Sequence, residues 1–203
     1  MIIKTFVEPP IENNNYLIID ESSKEAALID CSSYDENILI ELKKQGATLK
    51  YVLLTHGHFD HIGGLNDLPE NVEVLMHSGD IEWVNQVNDY LPMIGMSSME
   101  VPKIDRNIED GEIIKLGELE IKVIHTPGHT QGGVCFYTER HLFSGDTIFR
   151  ESVGRCDLPG GNFSQIVESI ENKIFTLPDD TVIYPGHGRT TTVDWEKENN
   201  NYM

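Results

Sequence analysis

Basic residues, cysteines and long apolar runs are all scarce in this chain, and each scarcity closes off a class of protein. Lysine and arginine number 15 against 34 aspartates and glutamates over 203 residues, a formal charge of -19. Such a chain repels phosphates instead of exchanging their counterions, which excludes nucleic acid as a partner. The excess carboxylate is spread through surface-like segments and reads as solubility, within which bound divalent ions would create a local positive site. The three cysteines, Cys31, Cys135 and Cys156, are odd in number and lack C-x-x-C spacing. They do not make a disulfide framework and fit a reducing compartment. Cys31 and Cys135 read as small buried apolar residues, and Cys156 as structural too, although it falls near the candidate site. No window approaches the roughly 18 uninterrupted apolar residues of a membrane span. Met1-Ile2-Ile3-Lys4 lacks the succession of a signal peptide. The expectation is a cytoplasmic protein with no membrane partner.

What remains is ordinary globular composition, and 203 residues suffice for a single domain with a sizeable core. Ile2 to Val7, Tyr16 to Ile19 and Ala26 to Ile29 read as strands separated by polar turns. Tyr34 to Lys44 sets Ile38, Leu39 and Leu42 among charges and stops at Gly46, the pattern of an amphipathic helix leading into strand Tyr51 to Leu54. Val72 to Met76 reads as a buried strand, and Ser78 as the N-cap of a helix over Gly79 to Tyr90. Leu91 to Val101 has no period and reads as a connection whose residues Met93, Ile94, Met96 and Met99 fill partial core, with a loop over the site that grips the substrate as the other reading. Short strands follow at Glu112 to Lys115, Leu119 to Ile124, Val134 to Tyr137 and Leu142 to Ser144. Ile166, Val167, Ile170 and Ile174 mark one stripe of a helix over Gln165 to Phe175. A strand at Thr181 to Tyr184 and a polar helix over Thr191 to Asn199 close the chain. Two runs of strands, each with helices, predict two mixed β-sheets packed face to face with helices outside: an α/β protein built as a four-layer αββα sandwich over residues 1–203.

The chemistry gathers first in Thr55-His56-Gly57-His58-Phe59-Asp60-His61-Ile62-Gly63-Gly64. On a strand His61 would point away from His56, His58 and Asp60, and a helix would scatter the first three, so the four converge only if the chain turns after Thr55. Three later segments also end an apolar run in a Gly-flanked His or Asp: Thr126-Pro127-Gly128-His129-Thr130, Phe143-Ser144-Gly145-Asp146-Thr147 and Tyr184-Pro185-Gly186-His187-Gly188. One such histidine is more often a hydrogen-bonded turn residue than a ligand, but four such turns change the odds. Imidazoles and carboxylates in this mixture suit two divalent transition ions, with a carboxylate able to bridge them. His77, His125 and His141 lack this context and read as structural, with His125 the one that could orient a ligand from behind.

Together with Gly154-Arg155-Cys156-Asp157-Leu158-Pro159-Gly160-Gly161, these motifs resemble those of the metallo-β-lactamase-fold hydrolases, and among them the compact glyoxalase II-like (hydroxyacylglutathione hydrolase-like) proteins, over nearly the whole chain. The resemblance implies that His56, His58 and His129 hold one metal, that Asp60, His61 and His187 hold a second, and that Asp146 bridges them. It further implies two divalent ions, zinc first, with iron and manganese also accepted. The implied reaction is attack of a metal-bound hydroxide on the carbonyl of a small acyl thioester such as S-lactoylglutathione, with departure of a thiolate. Asp60 and Asp146 are then catalytic, Asp60 orienting the nucleophile. Arg155 stands where relatives place a basic residue near the anionic part of the substrate; its other reading is a salt bridge within its own loop. Full-length glyoxalase II enzymes carry a C-terminal helical domain that supplies much of the glutathione pocket, whereas here only Thr190 to Met203 remain, so the expectation is a thioester held weakly or differently, or another acyl compound altogether. The alternative in the same family is a persulfide dioxygenase with one iron at His56, His129 and Asp146. Lactonase activity and a non-catalytic metal-binding module rank lower, as does β-lactamase activity, because many β-lactamases place a Cys where Asp146 stands.

Overall fold

The computed structural model describes residues 1–9 and 11–203. One sheet contains β1 (Ile2–Glu8), β2 (Asn13–Ile19), β3 (Glu25–Ile29), β4 (Thr48–Leu53), β5 (Glu73–His77) and β6 (Arg106–Ile108), in that order. Its first three strands are antiparallel, and β3 to β6 run parallel. The chain then forms β7 (Ile113–Leu116), β8 (Leu119–His125), β9 (Val134–Thr138) and β10 (His141–Gly145), a small hairpin of β11 (Ile148–Phe149) and β12 (Ser152–Val153), and later β13 (Val182–Pro185) and β14 (Thr191–Thr192). The second sheet has the order β14-β13-β10-β9-β8-β7. It is antiparallel except where β13 lies parallel to β10.

Three apolar layers separate four structural ones. Tyr16 and Ile18 of β2 join Ile121, Val123, Phe136 and Phe143 between the two sheets. Their neighbours Leu17 and Ile19 face the other way, onto Ile38 and Leu42 of α1 (Glu36–Gln45) and Ile62 of α2 (Phe59–Ile62). Alternate side chains leave a strand on opposite faces, so a strand covered on both sides must be apolar throughout. The third layer packs Leu142 and Ile183 against Ile166, Ile170 and Ile174. The expected αββα sandwich of mixed sheets is therefore the architecture observed.

Several boundaries differ from the sequence expectation. β2 starts at Asn13, because Asn13, Asn14 and Asn15 are buried where the strand passes beneath the His187 turn. The helix expected over Gly79 to Tyr90 is broken into a 3₁₀ turn at Ser78–Asp80, then α3 (Ile81–Asn85) and α4 (Val87–Tyr90). It is His77, not Ser78, whose side chain caps it, accepting from the Gly79 N–H at 3.2 Å. β6 went unforeseen, since three residues with one buried apolar side chain carry no period. Met93, Ile94 and Met96 are exposed, and of that group Met99 alone packs on the core. The helix over Gln165 to Phe175 is α5 (Phe163–Ser169), capped by Asn162 and continued by a π turn at Ile170–Ile174; α6 (Val193–Asn199) follows β14. Among the described residues no helix is long and apolar enough to cross a membrane.

Candidate metal centre

Strand direction gathers the donors. β3, β4 and β5 are parallel, and β8, β10 and β13 share one direction because two antiparallel pairings relate β8 to β10. The chain leaves each of these strands at its carboxyl end carrying a polar residue: Asp30 after β3, His56 to His61 after β4, Asp80 after β5, His129 after β8, Asp146 after β10 and His187 after β13. Where Gly186 passes Asp146, a Cβ would overlap the carboxylate Oδ1, so that turn requires glycine.

The first cluster is His56, His58 and His129, all buried. His58 Nδ1 lies 3.1 Å from His56 Nε2 and 3.0 Å from His129 Nε2. The tautomers follow from the surrounding partners. The Arg155 carbonyl accepts from His129 Nδ1–H at 2.7 Å, which leaves Nε2 as a lone pair. The Thr55 hydroxyl donates to Asp30 Oδ2 at 2.8 Å, so its oxygen is left to accept from His56 Nδ1–H at 3.1 Å and His56 Nε2 is also a lone pair. Two lone pairs thus face His58 Nδ1, which holds at most one proton, while His58 Nε2 is buried without a partner. Burial and the neighbouring imidazoles push His58 down to about 3 and His56 well below its ordinary value, so both are neutral. The nitrogen spacing is close to the edge of about 3.3 Å that a tetrahedral ion with bonds of about 2.0 Å requires. A cation satisfies this donor set better than the side chains satisfy one another.

The second cluster is Asp60, His61 and His187. His61 Nδ1 pairs with Asp30 Oδ2 at 2.8 Å, and its Nε2 is buried and unpartnered. Burial lowers the His61 pKa, but Asp30, Asp60 and Asp146 outweigh it and raise it to about 10. Burial would raise Asp60, yet His61 and His187 hold it well below the usual carboxylate range. His187 is raised despite burial, by Asp60 and Asp146. Asp146 lies between the clusters: Oδ2 is 3.6 Å from His129 Nε2 and 3.7 Å from His187 Nε2, and Oδ1 is 3.6 Å from His61 Nε2. Asp146 Oδ1 has no hydrogen-bond partner.

The seven side chains singled out in the sequence therefore meet at one edge. Four supporting residues were not foreseen. Asp30 orients both His61 and, through Thr55, His56. Asp80, fully buried, accepts from Gly57 N–H at 3.0 Å, the Thr130 hydroxyl at 2.7 Å and Gly132 N–H at 2.6 Å, tying the two histidine loops together. Asn14 accepts nothing there but donates from Nδ2 to the Pro185 and Gly188 carbonyls, bracing the His187 turn. Trp83 meets His58 edge-on at 4.5 Å and forms a wall. The available signal was the same for Asp30 as for the ligands, a polar residue closing the apolar run Ala26 to Ile29, but without a flanking glycine.

Other candidates lie apart. His125 stacks on His77 at 4.1 Å and its Nε2 faces the Gln131 carbonyl, so it orients no ligand; Gln131 and the stacking partner occupy it. His141 Nδ1 meets the Tyr184 hydroxyl at 3.2 Å. Half-buried Cys156 has its sulfur against the Gly154 carbonyl. The Arg155 guanidinium forks onto Asp157 at 2.7 and 2.8 Å, while its backbone carbonyl holds His129.

Known proteins share this sequence pattern and this fold. The family model described as the metallo-beta-lactamase superfamily matches residues 9–187. A probable metallo-hydrolase of Streptococcus pyogenes serotype M6 is 34% identical, covering 100% of this chain and 90% of its own. A hydroxyacylglutathione hydrolase, GloC, of Haemophilus influenzae is 32% identical, over 93% of this chain and 92% of its own. Among solved structures, the BLEG-1 B3 metallo-beta-lactamase superposes with a TM-score of 0.90 at 33% identity, covering 99% of each chain. TTHA1623 in a di-iron-bound form gives 0.88 at 32%, over 98% of this chain and 100% of its own. ETHE1 from Myxococcus xanthus gives 0.78 at 28%, over 99% and 84%. The chain belongs to the metallo-beta-lactamase superfamily.

Proposed function

We propose that this protein is a metal-dependent hydrolase of small acyl thioesters, working with two divalent ions. The observation that carries the reading is Asp146, whose two oxygens face a histidine of the first cluster and two of the second at 3.6 to 3.7 Å. In this reading His56, His58 and His129 hold one ion, Asp60, His61 and His187 the other, and Asp146 spans both. When bound, such ions bring the pKa of a coordinated water toward neutrality and polarise a carbonyl.

The chain's own groups do the rest. Thr55 and the Arg155 carbonyl fix the tautomers of His56 and His129 so that their lone pairs point inward, and Asp30 holds His61 Nδ1 so that its Nε2 faces the site. Asp60, held ionised by His61 and His187, presents an acceptor that orients the attacking water. Trp83 shields the His58 side from solvent. A thiol leaving group is acidic enough to depart without a protein acid. The 32% identity to a hydroxyacylglutathione hydrolase supports the thioester.

A second reading, a persulfide dioxygenase with one iron at His56, His129 and Asp146, is favoured by the likeness to ETHE1. Metal analysis of protein purified without added metal, paired with thioester-hydrolysis and persulfide-dependent oxygen-uptake assays, separates the two. Two metals per chain with thioester turnover is the expected result. One iron with oxygen uptake overturns it. Asp146→Ala should lose metal and activity together, and a metal-replete, fully active variant refutes the assignment.

A further inference from the structure

Beside the second cluster lies a cavity of about 360 Å³, lined by Phe149, Arg150, Glu151, His187, Gly188 and Arg189. None of these except His187 has a part in the metal centre. The volume falls in the range of small-ligand sites. In a chain of 15 basic residues and net charge -19, two guanidiniums at the mouth of the site form a local exception to the field around them.

The two arginines are set differently, and among the described residues neither guanidinium makes a hydrogen bond. Arg150 is anchored: its guanidinium carbon sits 4.3 Å over the Trp195 ring, and α6, which carries Trp195, is tied to the same segment by the Glu151 N–H donating to Glu196 Oε2 at 2.8 Å. Its Nε is buried with no hydrogen-bond partner. The neighbouring carboxylate, Glu151, stands 3.4 Å from that Nε but accepts instead from Trp195 Nε1 at 3.1 Å. Glu151 thus offsets one of the two positive charges and leaves the other uncompensated. Arg189 is exposed on the turn after His187 and makes no hydrogen bond or ion pair among the described residues. By contrast Arg155, the basic residue singled out in the sequence, already has its fork filled by Asp157.

Resting on the thioester reading, we propose that Arg150 and Arg189 form a carboxylate subsite, so that the preferred substrates are acyl thioesters bearing a carboxylate on the thiol part, seated in this cavity while the reacting carbonyl lies at the metal centre. A stacked, half-buried guanidinium gives a pre-oriented pair of N–H donors, and a carboxylate fills them bidentately where a neutral amide fills them poorly.

The test compares S-acetyl-3-mercaptopropionate with its carboxamide counterpart on the metal-loaded protein. Wild type should favour the carboxylate by about tenfold or more in kcat/KM, expressed mainly in KM. Arg189→Ala, on an exposed turn with no hydrogen bond or ion pair to lose among the described residues, should cut that ratio several-fold, and Arg150→Met should bring it close to one, while Arg150→Lys restores part of it. Arg155→Ala should keep the wild-type ratio. No preference in wild type, or a ratio that falls with Arg155→Ala and survives in Arg150→Met and Arg189→Ala, overturns the subsite. If neither ester is hydrolysed, the thioester reading itself fails, and the subsite is decided by calorimetric binding of 3-(methylthio)propanoate against its amide. Carboxylate-selective binding lost in Arg189→Ala upholds it, and equal or absent binding of the two refutes it.

Discussion

At the scale of single residues, two positions carry consequences that their chemistry alone would not suggest. Gly186 contributes no side chain, yet a Cβ there would overlap Asp146 Oδ1 and stand 3.0 Å from His61 Cε1. Gly186→Ala is therefore expected to turn the carboxylate aside and lower bound metal per chain, with activity down by about 100-fold and far-ultraviolet dichroism unchanged. Unaltered metal content would contradict it. Asp80 works by satisfying donors: burial pushes its carboxyl up, and three hydrogen bonds from Thr130, Gly132 and Gly57 oppose that. Asp80→Ala strands those three donors, all on the loops that carry His56, His58 and His129, and should cost about 3 kcal/mol of stability in urea unfolding. Asp80→Asn should cost less, since its amide oxygen still accepts while its NH₂ opposes one N–H. The two roles were unequally legible. The candidate ligands stood out because four glycine-bearing turns that follow apolar runs carry them, whereas Asp80 matters only because β5 brings it against loops 23 and 50 residues away in sequence.

At the scale of elements, periodicity revealed what a single face of packing decides. α1 was readable because Asp35 caps it through the N–H groups of Asn37 and Ile38, Gly46 ends it at φ 63°, and Ile38 and Leu42 bury one stripe. The Gly79 to Tyr90 segment has the same kind of stripe in Val84 and Val87, but the chain kinks at Gln86 between α3 and α4, and only tertiary contacts fix that break. The segment after α4 is where local stability is lowest by this reasoning. Met93 is 83% exposed, Gly95 is left-handed at φ 79°, and only the far end is held, by Met99 on the core and by the Asn88 and Asn66 side chains on the Met99 and Glu100 backbone. Limited proteolysis should make its first cut between Pro92 and Val101, because backbone with few buried contacts opens before the sheets do. A first cut in the Gly154 to Gly161 loop instead would show that the Arg155–Asp157 pair and the His129 hydrogen bond brace that loop less than the geometry suggests.

At the scale of the whole molecule, the sandwich and the site oppose each other electrostatically. The three apolar layers are complete without any ion, and the layered order of apolar strands made this fold readable from its sequence. The edge where the donors meet is different: it concentrates Asp60, Asp146 and Asp30 with five imidazoles, of which His56 and His129 direct lone pairs at His58. A ligand that binds only the folded state stabilises it by about 2.7 kcal/mol at a hundred times its Kd. Chelation should therefore lower the melting temperature by several degrees and restored divalent metal should recover it, with no change beyond error weighing against a bound-metal site. A net charge of -19 acts on the remaining surface by self-repulsion. Raising monovalent salt from low to about 0.3 M shrinks the screening length to well under 10 Å and weakens that repulsion more than it weakens the short ion pairs. The metal-loaded protein should then melt at a higher temperature in salt. A fall instead would mean that the surface pairs, such as Lys50 with Glu25 and Lys173 with Asp110, contribute more than the excess of acid costs.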